Sequence, residues 1–147
     1  MHQKSKDLQL QYEGFIQTPF LWHGKGVFDL IQFESNTSNT SSFSATIEKK
    51  LRLGKLVERF VSFELKQKGS IQIIAENIQI QREKITLGEL DCLLTQNNTP
   101  IHLEVIYKFY LYDSSQGPSD TFHWIGPNRN DSLHQKLTKL KEKQLPL

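Results

Sequence analysis

Cysteine occurs once in the 147 residues, at Cys92, and methionine only at Met1. A lone cysteine excludes an internal disulfide framework and any cysteine-based zinc cluster. One unpaired thiol fits a reducing cytoplasm better than an export route. No apolar run approaches the ~20 residues needed to span a bilayer. The first seven residues, Met1 to Asp7, have no apolar stretch behind them, which argues against a secretory signal. Charge of one sign is lacking too. Against 18 Lys and Arg stand 16 Asp and Glu, a net charge of +2 with a pI near 8.6, too weak alone to announce a nucleic-acid partner.

What is present is ordinary for a globular chain: 37% hydrophobic and 23% charged residues, with a mean hydropathy of −0.49. The length predicts one domain. It divides unevenly, into an N-terminal extension and polar loop over 1–43 and an α/β core over 44–147. Within the extension, 1–13 are polar, 14–33 are aromatic-rich but broken by glycine and proline, and a brief helix is expected near 27–33. Residues 35–42 are small and polar, the composition of a mobile linker. No internal repeat is present. The chain ends on a helical pattern without a polar tail, which reads as a natural terminus or, in preference, as a core cut from a longer protein.

Residues 44–67 predict a long helix with Ser44 as N-cap and Gly69 as terminator. At ~100° per residue, Ile47, Leu51, Val61 and Leu65 share a stripe. Leu53, Leu56, Val57, Phe60 and Phe63 widen it, and Lys55, Arg59, Ser62 and Lys66 take the opposite side. Three strand candidates follow, at 70–81, which a kink near Glu76-Asn77 can divide into two short strands, at 86–95 and at 101–112. The last alternates apolar and polar residues with a period of two. The Gln96–Pro100 segment should join the second and third as a hairpin. Residues 131–144 predict a second helix, with Leu133, Leu137, Leu140 and Gln144 on one face and lysines on the rest. The fold class is α/β: helix, three strands and helix around a mixed, largely antiparallel central sheet.

Three acids interrupt these apolar patterns. Glu58 lies about 20° from Ile47 on the buried stripe, where a carboxylate is costly unless paired, hydrogen-bonded or metal-bound. Asp91 follows Gly88-Glu89-Leu90, and Glu104 is central to the third strand, with Lys108 four residues on along the same face. Antiparallel neighbours lie ~5 Å apart, so Asp91 and Glu104 can converge. Carboxylates around a gap suit a hard cation such as Mg²⁺ or Mn²⁺. Such an ion activates water and offsets charge at a phosphodiester, and a lysine ammonium can assist. Read separately, the same acids also serve as a core ion pair, a strand-end turn and a solvated sheet face.

The ordered segments Leu53-Gly54-Lys55-Leu56-Val57-Glu58, Gly88-Glu89-Leu90-Asp91 and His102-Leu103-Glu104-Val105 resemble the PD-(D/E)XK phosphodiesterase superfamily over roughly 44–144. The resemblance implies a restriction-endonuclease-like core. It also implies that Glu58 matches the acidic residue of the first core helix, Asp91 the metal-binding aspartate and Glu104 the acidic residue of the third strand, so that the three acids together would hold or orient the metal. Lys108-Phe109-Tyr110-Leu111, Trp124-Ile125-Gly126-Pro127-Asn128-Arg129 and the Asp131–Leu137 stretch look more closely like an uncharacterised bacterial domain-of-unknown-function family. One departure from the superfamily is clear. Its Glu-x-Lys would place lysine at 106, where this chain has Ile106, with lysine at 108 instead. That stretches the Glu-to-Lys Cα separation to ~13 Å from ~7 Å while keeping the face.

The expected function is a Mg²⁺-dependent (or Mn²⁺-dependent) phosphodiesterase acting on DNA or RNA. Glu58, Asp91, Glu104 and Lys108 would carry the chemistry. Arg129, Gln135, Lys136 and Lys139 would contact the backbone. His102 would be a neighbour of Glu104, and Tyr110, His123 and Trp124 either stack on bases or pack in the core. The rival reading is a catalytically inactive nuclease-like module that binds nucleic acid or protein. A third is an ordinary α/β domain whose acids form structural ion pairs.

Overall fold

Isoleucine crowds the chain from 71 to 80, and β-branched residues favour the pleated, half-buried surface of a sheet. In the computed structural model, which describes residues 2–23, 26–34, 42–47 and 50–147, this stretch begins a three-stranded antiparallel sheet of order β1-β2-β3. Strand β1 (Ile71–Arg82) pairs with β2 (Ile85–Gln96) from Ile71↔Gln96 to Arg82↔Ile85. Strand β2 pairs in turn with β3 (Thr99–Leu103) from Gln96↔Thr99 to Cys92↔Leu103.

The expected hairpin is present, with Asn97 and Asn98 at φ 51° and 65°. Left-handed backbone at both central positions matches the twist of the flanking strands, and asparagine tolerates it. The kink expected near Glu76-Asn77 is also present, as φ 54° at Asn77, yet β1 runs through it as one strand rather than two.

The third strand departs most from expectation. It ends at Leu103 instead of continuing to 112, and the chain resumes extended pairing only in a separate ribbon. There β4 (Leu111–Tyr112) pairs with β5 (Trp124–Ile125). The alternation over 101–112 is real, but Phe109 lies outside any strand and Leu111 sits in a two-stranded ribbon, and both side chains are exposed.

The expected helix over 44–67 shortens to α2 (Leu53–Lys66). Ser44 is therefore not its N-cap; Arg52 stands there without a side-chain cap bond, and Gln67 rather than Gly69 closes the far end. Residues 44–47 are not helical, and residues 48 and 49 lie outside the described residues, as do 35–41 of the expected linker. Phe43, Ile47 and Leu51 still reach the core, anchored by the Phe43 N–H donating to Gln9 Oε1 at 2.8 Å.

The polar N-terminal stretch forms a helix, α1 (His2–Gln17), which the sequence pattern did not announce. It lays Tyr12, 1% exposed, against Leu56 and Phe60 of α2, with Phe15 and Phe43 stacking around them. Helix α2 is thereby covered on two sides. Its Leu65 and Val61 pack on Cys92, Leu94, Ile73 and Ile101 of the sheet. This explains why Ser62 and Glu64, assigned to no buried stripe, are buried.

The brief helix expected near 27–33 is a single 3-10 turn, Val27–Asp29. A four-residue helix, α3 (Asp120–His123), interrupts the loop that follows β4. Helix α4 (Leu133–Lys139) begins at Ser132 in a reciprocal capping box with Gln135 and passes into a π-helical turn, Leu140–Gln144. Leu133, Leu137 and Leu140 pack on Leu30, with Trp22, Phe28 and Tyr110 around them. The architecture is mixed α/β, with a small antiparallel sheet and several helices. Among the described residues no helix is long and apolar enough to cross a membrane.

Candidate functional site

The site forms where β3 peels away from β2. One step beyond the Cys92↔Leu103 pair the register brings Asp91 level with Glu104, and there the ladder gives way to side chains. The Val105 N–H donates to Asp91 Oδ2 at 2.9 Å, and the Asp91 N–H donates to Glu104 Oε1 at 3.3 Å. Each carboxylate thus accepts from backbone on the other side of the split, replacing sheet bonds the diverging strand gives up.

The Glu104 side chain is only 3% exposed, against 16% for Glu58. His102 Nε2 lies 2.8 Å from its Oε1, and Gln144 Nε2 donates to its Oε2 at 3.1 Å. Gln144 Oε1 accepts in turn from Lys136 Nζ at 3.2 Å. Burial, then the ammonium groups of Lys139 and Lys108, push the Lys136 pKa below its ordinary value, while Glu104 and Asp91 oppose the shift. Lys136 therefore sits within the electrostatic reach of both acids.

Glu58 and Asp91 line one narrow crevice between α2 and the sheet, together with Arg59, Glu76, Asn77 and Val105. Its volume is about 10 Å³, near the smallest space that holds one water. Burial raises the Glu58 pKa. The Lys55 hydrogen bond and charge pull it back, and the carboxylates of Asp91 and Glu89 push it further up. Lys55 Nζ is gripped by Glu58 Oε2 at 2.9 Å, Glu89 Oε1 at 2.7 Å and Asn77 Oδ1 at 3.0 Å. Asn77 is the residue in left-handed backbone, so a strained strand position serves to aim a ligand at this ammonium.

The remaining candidates separate from this cluster. Lys108 forms an ion pair with Asp131. Arg129 reaches Asp113 at 3.3 Å, and Gln135 is occupied in the α4 cap. Lys139 is exposed. Tyr110 packs beside the Leu133 cluster, and burial, with the Asp131 charge behind it, raises its pKa to about 12. Tyr112 and Trp124 stack edge-to-face on the ribbon at 5.0 Å between centroids.

The structure thus joins Glu58 to Asp91 through the crevice and Asp91 to Glu104 through the strand split. Among the described residues it gathers no group of three or more His, Cys, Asp or Glu side chains arranged to hold a metal ion. The donor chemistry is that of a hard-cation site, since all three acids offer carboxylate oxygens; burial first, and then the Asp91 and Glu89 charges, raise the Glu58 pKa. The roles of Lys55 and Gln144 were not visible in the sequence. Lys55 lies one turn from Glu58, a spacing at which pairing is readable, but Gln144 is 40 residues from Glu104 and carries no local signal.

A protein-family model described as Domain of unknown function (DUF1853) matches residues 16–147 of the chain. No curated protein and no solved structure matches it.

Proposed function

We propose, from the premise that the chain belongs to the family described as Domain of unknown function (DUF1853), that it is a metal-dependent phosphodiesterase of nucleic acid with a restriction-endonuclease-like core. The observation that carries the reading is the reciprocal Asp91–Glu104 junction at the split of β2 and β3. An acid of β2 meets one just past the end of β3 where the sheet opens, and Lys136 is joined to Glu104 through the Gln144 amide.

Asp91 and Glu104, with Glu58 behind Asp91, would hold Mg²⁺ or Mn²⁺. Bound there, the ion would lower the pKa of a water and offset charge at the scissile phosphate. The chain's own contribution is positioning. The Val105 N–H and the His102 and Gln144 side chains fix the rotamers of the two carboxylates ahead of substrate binding. Asn77 and Lys55 restrain Glu58 and Glu89 from the other side. The lysines of α4 and the exposed Arg129 guide the phosphate backbone.

The test is cleavage of single-stranded, double-stranded and branched DNA and RNA with Mg²⁺ or Mn²⁺. Wild type should nick or degrade at least one class, and Asp91→Asn should not. A wild type inactive on all of them removes the enzymatic reading.

A second reading is favoured by one observation. Lys108, the strand lysine displaced from position 106, is committed to Asp131. A module that kept the fold and lost catalysis would bind nucleic acid or protein without metal, with salt-dependent affinity for nucleic acid. Mn²⁺ titration separates the two: affinity that disappears in Asp91→Asn and Glu104→Gln supports the enzyme.

A further inference from the structure

Position 106, where the resemblance expects lysine, is isoleucine and exposed, and Lys108, in the segment between β3 and β4, is tied to Asp131. A phosphodiesterase built on Asp91 and Glu104 would lack a cation on its own strand. Helix α4 brings one from a different part of the chain.

Three features index Lys136 to the acids. The capping box of Ser132 and Gln135 fixes where α4 starts. Leu133, Leu137 and Leu140 lock its rotation by burial against Leu30. The π-helical turn that follows, with the Leu145 N–H reaching the Leu140 carbonyl, then carries Gln144 into reach of both Lys136 and Glu104. Widened turns of this kind are frequent at functional sites because they re-aim side chains that a regular helix would carry elsewhere. The Gln144 amide is used with both ends: its oxygen accepts from Lys136 Nζ at 3.2 Å and its nitrogen donates to Glu104 Oε2 at 3.1 Å. The ammonium is thus held one amide away from the carboxylate. Direct pairing, which would neutralise both groups, is replaced by a bridge.

We infer that Lys136, positioned through Gln144, is the cation that contacts the phosphate attacked at the Asp91–Glu104 junction, in place of a lysine on the strand. This rests on the phosphodiesterase reading. Gln144 is then a positioning residue, and Lys108 is structural.

The experiment uses the full chain with Lys136→Met, Lys136→Arg and Gln144→Leu, and two readouts. The first is cleavage with Mg²⁺ or Mn²⁺. The second is fluorescence-anisotropy binding of a fluorescein-labelled DNA duplex in EDTA across a series of KCl concentrations, which needs no metal. Lys136→Met should lose cleavage and make the plot of log K against log salt shallower by about one. Lys136→Arg should keep the wild-type slope and part of the rate. Gln144→Leu, which leaves the charge in place, should keep the slope and slow cleavage. Thermal melting confirms that each variant is folded. An active wild type whose Lys136→Met variant keeps either its cleavage or its salt slope overturns the assignment and leaves the phosphodiesterase reading standing. A wild type inactive on every substrate overturns that reading, and this inference with it.

Discussion

Asp91 and Glu104 hold each other across the point where two strands part: the carboxylate of Glu104 accepts the Asp91 N–H, and the carboxylate of Asp91 accepts the N–H of Val105, next to Glu104. The pair is therefore both a local sheet terminus and the centre of the candidate site. Substitutions there report on structure and on chemistry together, and the choice of replacement decides which is read.

Asp91→Ala leaves the Val105 N–H without its acceptor and should cost about 1 kcal/mol or more of stability. Asp91→Asn retains a side-chain oxygen that can accept the same bond and should cost less. Urea unfolding of both variants measures the difference, and equal stabilities would show that the Val105 bond is not maintained in solution. Activity losses should be assigned from Asp91→Asn alone.

The contact of α1 with α2 rests on Tyr12 and Phe60, each 1% exposed. Phe60→Ala removes the ring shared by Tyr12, Phe15 and Phe43 and should destabilise the fold by about 3–5 kcal/mol. Tyr12→Phe is gentler in volume but takes the hydroxyl from the buried Glu64, and should cost about 1–3 kcal/mol. Equilibrium denaturation measures both losses. A Phe60→Ala variant as stable as wild type would mean that the N-terminal helix does not dock there.

Cys92 is buried between α2 and the sheet, and burial, with the Glu76 charge adding to it, raises its thiol to about 11. Roughly one molecule in a thousand is then thiolate at pH 8. A disulfide reagent should modify native protein slowly and urea-unfolded protein at once. Rapid reaction of the folded chain would contradict the packing of Leu65 on Cys92.

Glu76 carries the clearest pH signature. Burial opposes its ionisation, but the Ser62 hydroxyl, the Lys66 ammonium and the Arg59 charge outweigh that and hold its pKa below 4.5. A carboxyl with a lower pKa folded than unfolded stabilises the fold above the unfolded value, and this contribution is lost as pH falls through the folded one. Wild type should therefore lose stability on acidification below about pH 5. Ser62→Ala and Lys66→Met should each reduce the size of that loss. Urea midpoints followed across the acid range test it, and identical acid limbs in all three proteins would refute the assignment.

The adjacency of Asp91 and Glu104 was legible in the sequence, because an acid in an apolar alternation is a local anomaly and a hairpin makes opposite residues neighbours. The asparagine turn and the strands over 71–96 were legible for a similar reason: period and turn chemistry act within a few residues. The N-terminal helix was not. Its 1–13 stretch is polar, and it owes its place to one buried face around Tyr12 that exists only once α2 supplies Phe60.

The end of β3 and the start of α2 were likewise out of reach of local pattern. The alternation continues to Leu111 and the helical period begins ahead of Leu53. At Glu104 the ladder gives way to the carboxylate exchange with Asp91, and ahead of Leu53 the chain packs Phe43, Ile47 and Leu51 against α1 and α2 without being helical over 44–47. Composition and spacing alone thus determined the two strands over 71–96, the turn that follows them and the acids set against the apolar pattern. Which lysine faces those acids was decided by tertiary structure, because Gln144 meets Lys136 and Glu104 only after α4, its π-helical turn and the sheet have packed.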